Sequence, residues 1–379
     1  MIAGLGLPPP RATCRMSVTI PARNEAAVIG RALEALAAQP EAPEFDVVLF
    51  ANNCDDATAS VALEVARSRP ALQLHVVEAR LPPGQDHVGV ARRLLMDAVA
   101  ARFLAAERPL GIVATTDADT VVAEDWAAQT FADMSTADAV AGFVEIGPEE
   151  RAALPLAVRK IYRSENEFRA AWAELEALVD PRPEDPWPRH CSFVGASVAV
   201  GAGAYARAGG LPAVSTLEDR GFLSALRRID ARVRHSPNVR AYTSGRIAAR
   251  VRGGFGTLVA HLHRQAAAGR PFLVEHPREI IDDLEGRAAL RRVHAGAPRE
   301  DDVALVSTIF GLPPEEWLGT IEPARAFGET HHRIVERSGP RRRRYEMVPV
   351  DEAIAALRAA VASRKAVFPT RISAASGAG

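Results

Sequence analysis

Two aspartates separated by a single residue, Asp117 and Asp119, are the strongest candidate metal ligands in the sequence. They follow a short apolar run, residues 112–114, that has the composition of a buried strand. Mg²⁺ and Mn²⁺ commonly take one or two carboxylates together with phosphate oxygens, so we expect the pair to hold such an ion against a substrate diphosphate. Taken alone, such a tripeptide more often caps a helix, here one beginning near Asp125, or lies in solvent.

A second acidic pair, Glu218 and Asp219, is a candidate for acid–base chemistry. A carboxylate can accept the proton of a hydroxyl group while that hydroxyl attacks an electrophilic carbon. The same dipeptide at the start of a helix also interacts favourably with the helix dipole. The dipeptide by itself is compatible with either role.

Short β-rich runs alternate with helical stretches from Met16 onward, and these elements must position the acidic pairs. Strands are predicted over residues 17–20, 45–50, 72–77, 112–114 and 139–146. Near-continuous apolar strands separated by helices are typical of a mostly parallel, Rossmann-like sheet covered on both faces, so the predicted fold class is α/β. Ligands bind such sheets at the carboxyl ends of the strands. The polar clusters 23–25, 52–56 and 117–119 all fall at that edge.

Composition and charge exclude several classes of protein. The chain has 379 residues, of which 48% are hydrophobic and 25% charged, and these values argue against general disorder. Its formal net charge of -1 gives no reason to expect a nucleic-acid partner. No apolar run approaches the roughly 18 to 20 residues of a transmembrane helix. Three scattered cysteines and no basic leader favour a cytoplasmic protein, with peripheral contact at the inner membrane face left open.

Four segments, in their order and spacing, resemble the inverting family 2 glycosyltransferases of the GT-A fold. They are residues 18–25 (VTIPARNE), 52–58 (NNCDDAT), 89–93 (GVARR) and 116–120 (TDADT). The resemblance covers about residues 16–260 and is strongest before residue 125. It implies a GT-A domain over residues 16–275, with a nucleotide-binding half (16–125) and an acceptor half (126–275). A flexible tail is expected over residues 1–15, and a helical extension over residues 276–379.

The resemblance also implies roles for single residues on the donor side. Asn52 would meet the nucleobase, at a position where the family usually has Asp, and Arg92 would lie near the diphosphate. The full set implied to bind the donor is Pro21, Arg23, Glu25, Asn52, Asp55, Arg92 and Asp117.

The metal and catalytic roles follow from the same resemblance. Asp119 and Asp117 would bind Mn²⁺ or Mg²⁺, and because some GT-A enzymes add a later histidine, His263 is included as a further ligand. Asp219 would be the catalytic base, and Glu218 would position the acceptor or the base. A basic, glycine-rich loop over residues 244–255 would cover the donor diphosphate.

The predicted function is therefore metal-dependent transfer of a sugar from a UDP- or GDP-sugar to a small-molecule or lipid-linked acceptor. A sugar-phosphate nucleotidyltransferase is the first alternative, because it uses a related sheet, an aspartate and a metal. Such enzymes usually have a glycine-rich loop after the first strand, where this chain has PARNE at residues 21–25. A noncatalytic nucleotide-sugar binding protein is the second alternative, against which the intact acidic pairs argue.

Overall fold

The computed structural model describes residues 4–40, 44–245, 255–322, 325–339 and 344–367. The strands in these ranges are β1 (Met16–Ala22), β2 (Phe45–Asn52), β3 (Gln73–Ala79), β4 (Ile112–Thr115), β5 (Val121–Val122), β6 (Ala139–Ile146), β7 (Val198–Gly201), β8 (Val233–Thr243), β9 (Leu273–Val274) and β10 (Val348–Pro349). The first eight form one sheet in the order β3-β2-β1-β4-β7-β6-β8-β5. β1 pairs in parallel with β2 and β4, and β2 with β3, whereas β7 is antiparallel to both of its neighbours.

Helices connect and cover these strands. They are α1 (Ile29–Ala37), α2 (Thr58–Ser68), α3 (Val88–Ala105), α4 (Trp126–Met134), α5 (Pro148–Ala153), α6 (Leu156–Val179), α7 (Ala202–Arg207), α8 (Glu218–Arg228), α9 (Phe255–Ala268), α10 (Pro277–His294), α11 (Asp302–Phe310), α12 (Pro314–Trp317), α13 (Phe327–Ser338) and α14 (Val350–Val367). The predicted mostly parallel α/β sheet flanked by helices, followed by a mainly helical C-terminal part, is confirmed. None of the described helices is long and apolar enough to cross a membrane.

The continuous apolar runs of the central strands result from burial on both faces. Val48 and Phe50 of β2 point into the core beneath α3, while Val47 and Leu49 point into the core on the opposite face. Successive strand residues alternate between faces, so a strand covered on both sides needs an apolar side chain at every position. The five predicted strands therefore coincide with β1, β2, β3, β4 and β6.

Two local predictions about helices are wrong. A single helix is predicted from residue 150 to 178, but α5 ends before Leu154 and α6 begins after Pro155, because a proline disfavours helical conformation at the preceding residue. The sequence also predicts that Asn24 caps the first helix, but α1 begins at Ile29 and its N-cap residue is Val28. Asn24 instead adopts a positive φ of 55°, and its Oδ1 accepts a hydrogen bond from the backbone N–H of Asp55.

The chain divides into two compact units, and the division differs from the predicted boundary at residue 275. One unit contains residues 1–154 and 192–261, and the other contains residues 155–191 and 262–379. The second unit includes α6 because Phe168 and Leu175 pack in one core with Leu284 of α10 and Leu357 of α14. A long helix with such an apolar face is buried most completely against the other helices of its own unit.

The described residues before β1, 4–15, lie in the segment for which a flexible tail is predicted, and they pack within the first unit. Leu5 and Leu7 pack against its core, and Cys14 is buried. Arg102 of α3 donates a hydrogen bond from Nε to the Pro8 carbonyl oxygen at 2.6 Å. The same guanidinium forms a buried ion pair with Asp46 at 2.6 Å, so this part of the chain is attached to the amino-terminal edge of the sheet.

Candidate active site

The turn after β4 places the two predicted metal ligands in different surroundings. Asp117 forms an ion pair with Arg92. Asp119, two residues later, lines a cavity of about 250 Å³. Neither carboxylate caps α4, whose N-terminal residue Asp125 makes no side-chain capping bond. The pair therefore does not serve as a helix cap.

The cavity beside Asp119 lies in the first compact unit and has a mixed polar and apolar wall. Its lining comes from the start of α1, the turn after β4, β5, the start of α5 and the end of β8: Val28, Arg31, Asp119, Val121, Gly147, Pro148, Glu149, Glu150, Tyr242 and Ser244. A partly exposed carboxylate at the edge of such a space can reach a ligand that enters from solvent.

Arg92 occupies the centre of the site. It projects from the second turn of α3, and its side chain is only 4% exposed. Its guanidinium forms ion pairs with Asp117, after β4, and with Glu218, at the start of α8. Burial alone would lower the pKa of Arg92, but the nearby carboxylates of Asp117, Glu218 and Asp219 raise it above its ordinary value. The arginine therefore stays charged and links three elements that are distant in sequence.

Two glycines create the space for this arrangement. A Cβ atom at Gly89, in the first turn of α3, would lie 2.0 Å from the backbone oxygen of Val214. A Cβ atom at Gly195 would lie 2.6 Å from Nη1 of Arg92. Both contacts are far shorter than van der Waals distance, so these positions need glycine for close approach. The segment leading to α8 and the Arg92 side chain are both held by backbone that a larger residue would displace.

The first turn of α8 presents the second acidic pair. Glu218 is buried and follows Leu217, whose φ of 58° is left-handed. Asp219 is partly exposed, and its Oδ1 accepts a hydrogen bond from the backbone N–H of Arg220 at 2.7 Å. Within the pair, Glu218 thus faces Arg92 while Asp219 remains accessible to solvent.

Asp86, which the sequence did not single out, connects two predicted donor-binding residues. Nη1 of Arg23 donates to the Asp86 carbonyl oxygen at 3.1 Å and to its Oδ2 at 2.9 Å. Nδ2 of Asn52 donates to the same carbonyl oxygen at 3.3 Å. The hydrogen bond from Arg23 lowers the pKa of Asp86 below its usual range. Asp86 follows a PPG turn, and no spacing rule marks such a residue as part of a site.

The side-chain oxygen of Asn52, Oδ1, makes no hydrogen bond with any of the described residues in this arrangement. The side chain is 3% exposed. Nδ2 already donates to the Asp86 carbonyl oxygen, so Oδ1, a hydrogen-bond acceptor, is the atom of this amide that lacks a partner in the described part of the chain. A buried acceptor without a partner is costly unless a ligand or water supplies a donor.

The loops after β1 and β2 are joined to each other near the predicted nucleoside pocket. The backbone N–H of Glu25 donates to Oγ1 of Thr58 at 2.8 Å, and that of Ala26 donates to Oδ2 of Asp56 at 3.0 Å. Burial raises the pKa of Asp56, but hydrogen bonds from Thr58 and Ala26 outweigh it and lower the pKa overall. These bonds fix the two loops relative to one another.

The remaining donor-side residues differ in accessibility. Pro21 is buried at the end of β1, and Glu25 is partly exposed. Asp55 is well exposed and forms an ion pair with Arg80 at 2.6 Å. The structure thus brings Arg92, Asp117 and Glu218 into direct contact and places Arg23 and Asn52 around Asp86, whereas Asp55 interacts with a surface arginine.

The carboxylates fit a divalent cation that arrives with other ligands. Among the described residues, no group of three or more His, Cys, Asp or Glu side chains could enclose a metal. Mg²⁺ and Mn²⁺ at phosphate sites need only one or two protein carboxylates, because phosphate oxygens and water complete the shell. The carboxylate oxygens of Asp119 and Asp117 are donors of that kind, and their metal role stays a prediction. His263 lies in α9 within the second compact unit, and its metal role stays a prediction.

The loop predicted to cover the diphosphate lies mostly outside the described residues. Ser244 and Gly245 belong to the described part, and residues 246–254 do not. Ser244 is one of the residues that line the cavity beside Asp119.

Comparison with known proteins gives one family match. Residues 11–177 match the model of a family described as glycosyltransferase like family 2. No curated protein matches the chain.

Several solved structures are similar to this chain at low identity. The mannosyltransferase PcManGT from Pyrobaculum calidifontis, in complex with GDP-Man and Mn²⁺, is 17% identical, with 96% of this chain and 90% of that chain covered and a TM-score of 0.45. S. aureus TarS 1–349, in complex with UDP-GlcNAc, is 15% identical, with coverage of 92% and 89% and a TM-score of 0.42. Glucosyl-3-phosphoglycerate synthase from Mycobacterium tuberculosis, with Mn²⁺, UDP and phosphoglyceric acid, is 18% identical, with coverage of 68% and 78% and a TM-score of 0.36.

The family match includes all four segments on which the sequence resemblance rests. It contains the ends of β1, β2 and β4 and the start of α3, which carry Asn52, Arg92, Asp117 and Asp119. Residues 11–177 therefore carry a domain like those of glycosyltransferase family 2.

Proposed function

We propose that the protein transfers a sugar from a UDP- or GDP-sugar to a small-molecule or lipid-linked acceptor, with inversion and with Mn²⁺ or Mg²⁺ as cofactor. The observation that carries this proposal is the contact of Asp117 and Glu218 with one buried arginine, Arg92. Sugar transfer needs the group that handles the leaving diphosphate and the group that activates the acceptor at one place. The shared arginine holds one member of each acidic pair, which supports a single substrate site there.

Asp219 is the proposed catalytic base. In the reaction, the acceptor oxygen forms a bond to the anomeric carbon, and the bond from that carbon to the diphosphate oxygen breaks. The bonding electrons leave with the diphosphate, and the acceptor proton passes to Asp219. Its partly exposed carboxylate suits this task, because one oxygen is held by the backbone of its own helix turn while an acceptor can approach from solvent. Attack opposite to the departing group inverts the configuration.

Asp119 and Asp117 are the proposed metal ligands, and His263 is kept as a further one. When bound, a divalent cation would neutralise negative charge on the departing nucleoside diphosphate. The chain itself supplies hard oxygen ligands, of which Asp119 faces the 250 Å³ cavity. Asp117 also forms an ion pair with Arg92, so the positive charge of Arg92 is largely neutralised and adds little to the charge of a cation bound there.

Asn52 is proposed to select the nucleobase. Its buried Oδ1 calls for a donor, and the Watson–Crick edges of uracil and guanine both carry a ring N–H group. Cytosine and adenine present an unprotonated ring nitrogen at that position, so they could satisfy Oδ1 only by a shift that brings their exocyclic amino group to it. Because a site built to hydrogen-bond one group rejects analogues that lack it, we expect UDP or GDP to bind and CDP or ADP to be disfavoured.

Nucleotide binding tests the proposal directly. Thermal unfolding is measured with UDP, GDP, CDP and ADP, each with and without Mn²⁺, for the wild type and for Asp119→Asn. We expect stabilisation by UDP or GDP that requires Mn²⁺ and is lost in the variant, because a ligand that binds only the folded state raises its stability. Asp138→Asn, which alters a surface ion pair with Arg232 in the same unit, is the matched control.

The reaction itself separates this function from the nucleotidyltransferase alternative. Incubation with nucleotide-sugars and candidate acceptors should release UDP or GDP. Release of pyrophosphate from a nucleoside triphosphate and a sugar phosphate would instead support the alternative, and tight binding without any turnover would support a noncatalytic binding protein.

A further inference from the structure

The guanidinium of Arg92 donates hydrogen bonds to two carboxylates from different parts of the chain. Nη1 donates to Oε1 of Glu218, and Nη2 donates to Oδ1 of Asp117. Its Nε is buried and has no hydrogen-bond partner among the described residues. Gly195 lies against the same guanidinium, so close that a Cβ atom there would lie 2.7 Å from Cζ. The side chain is therefore enclosed, with its two terminal nitrogens engaged inside the protein.

The local charge is negative in spite of this arginine. One guanidinium lies among three carboxylates that influence it, Asp117, Glu218 and Asp219. A single positive charge shared in this way is held firmly, since Arg forms directed hydrogen bonds to carboxylates. It also occupies Asp117, one of the two carboxylates proposed to receive a metal.

From this geometry we propose that Arg92 is a positioning residue, which joins the donor-side Asp117 to the acceptor-side Glu218, and that it does not bind the diphosphate. This inference rests on the proposed function and changes the role that the sequence resemblance implied for Arg92. A divalent cation and Arg92 share Asp117, so each weakens the hold of the other on that carboxylate. Glu218 acts at a distance, by drawing the guanidinium away from Asp117.

The proposal predicts opposite effects of two substitutions on the binding of Mn²⁺ alone. Arg92→Met removes a positive charge beside Asp117 and should tighten Mn²⁺ binding by about fivefold to tenfold, the scale of one nearby charge in a partly aqueous site. Glu218→Gln leaves Arg92 with Asp117 as its remaining partner, and it should weaken Mn²⁺ binding by several-fold. Glu218 itself contacts Arg92 and is not one of the proposed metal ligands.

The nucleotides distinguish positioning from direct phosphate binding. The affinities of UDP and uridine are compared by calorimetry without metal, in the wild type and in Arg92→Met. If Arg92 only positions, the affinity for UDP relative to that for uridine falls by no more than the roughly fivefold to tenfold expected from one nearby charge, because the guanidinium makes no phosphate contact. A diphosphate contact would instead reduce the affinity for UDP by about a hundredfold or more and leave that for uridine unaffected.

Arg92→Lys separates the role of the two hydrogen bonds, to Asp117 and to Glu218, from the role of the positive charge. A lysine keeps the positive charge but lacks the planar fork that reaches two carboxylates at once. We expect its Mn²⁺ affinity to stay near that of the wild type, while release of nucleoside diphosphate from the donor falls at least tenfold because Glu218 is no longer held. This variant also carries the test if Arg92→Met fails to fold, since lysine keeps a positive charge among the three carboxylates.

The measurement is electron paramagnetic resonance of Mn²⁺, with Asp138→Asn as the control that should not change its affinity. The expected result is tighter Mn²⁺ binding by Arg92→Met, weaker Mn²⁺ binding by Glu218→Gln, and a fall of at most about tenfold in the affinity for UDP relative to that for uridine. The proposal would be overturned by unchanged or weaker Mn²⁺ binding in Arg92→Met, by a selective loss of UDP affinity of about a hundredfold or more, or by full turnover in Arg92→Lys. If wild-type protein binds neither UDP nor GDP with Mn²⁺, the proposed function itself fails. Binding to the wild type is measured first, so this outcome is distinguished from failure of the proposal about Arg92.

Discussion

Replacement of Gly89 by alanine tests whether close approach of the backbone fixes the acceptor side of the site. A Cβ atom at this position would lie 2.0 Å from the Val214 backbone oxygen, whereas real Cβ contacts are essentially never shorter than 3.0 Å. The start of α3 or the segment before α8 must therefore move by about 1 Å. Overpacking of this kind costs about 1–3 kcal/mol. It is opposed by at most about 1 kcal/mol from the better helix propensity of alanine.

Gly30 provides a closely matched control. Like Gly89, it is the second residue of its helix, but a Cβ atom there would meet the nearest side chain at an ordinary 3.7 Å. Gly30→Ala should be neutral or stabilising by up to about 1 kcal/mol. We therefore expect the two variants to differ by about 2 kcal/mol in the free energy of unfolding, which corresponds to about 2–4 °C in the unfolding temperature.

The assay combines thermal unfolding with release of nucleoside diphosphate from the donor. Displacement of α8 by about 1 Å should reduce turnover by about a hundredfold in Gly89→Ala, with nucleotide binding largely retained because β1, β2 and Asn52 are not displaced. Equal stability and equal turnover in Gly89→Ala and Gly30→Ala would refute the reasoning, since helix propensity alone would then account for both glycines.

Three further outcomes are expected. Asn52→Leu should lose about tenfold or more in UDP or GDP affinity by calorimetry, and Asn52→Asp should also bind more weakly, because a carboxylate would face the Asp86 carbonyl oxygen in place of the Nδ2 donor. Gly195→Ala should destabilise the protein by about 1–3 kcal/mol in urea unfolding, because the new methyl group displaces Arg92. Burial raises the pKa of Asp46, but His75, Arg102 and Ser17 lower it overall, so its contribution to stability is complete above about pH 4 and is lost as the pH falls through the folded pKa. Asp46→Asn should thus unfold at lower urea concentration at pH 7 and show a smaller loss between about pH 5 and pH 2, and an unchanged acid profile would contradict this.

The sequence predicts the parts of the fold that depend on local pattern. Residues 45–50 are apolar at nearly every position because β2 is buried on both faces, and that pattern is readable without a structure. The break before α6 was also readable, since Pro155 disfavours helix at Leu154, but the helical spacing on either side concealed it. The antiparallel strand β7, inserted between β4 and β6, has no local signal that gives its direction.

The site is less predictable because its main contacts are made across long sequence separations. Arg92 and Glu218 are 126 residues apart, and their ion pair depends on the packing of α3 against the segment before α8. Gly195 is the one sequence feature that reflects the enclosed guanidinium, yet most loop glycines mark turns and do not lie against a buried side chain. Asp86 accepts hydrogen bonds from both Arg23 and Asn52 at its backbone carbonyl oxygen, a group that every residue type has.

The compact units show the same limitation at a larger scale. The sequence places a boundary at residue 275, whereas α6 belongs with the C-terminal helices. Glu176 of α6 and Arg287 of α10 form an ion pair at 2.6 Å, and Phe168 joins their shared core. Composition along the chain does not reveal that a helix packs with partners more than a hundred residues later.

The most direct test of the proposed function measures the release of nucleoside diphosphate from UDP- and GDP-sugars, with and without Mn²⁺, by wild-type protein and by Asp219→Asn. We predict Mn²⁺-dependent release by the wild type, and a loss of about a hundredfold or more in the variant, which should still bind the donor with unchanged affinity. Release that needs no divalent cation, or an Asp219→Asn variant as active as the wild type, would contradict the proposed metal-dependent transfer with Asp219 as the base.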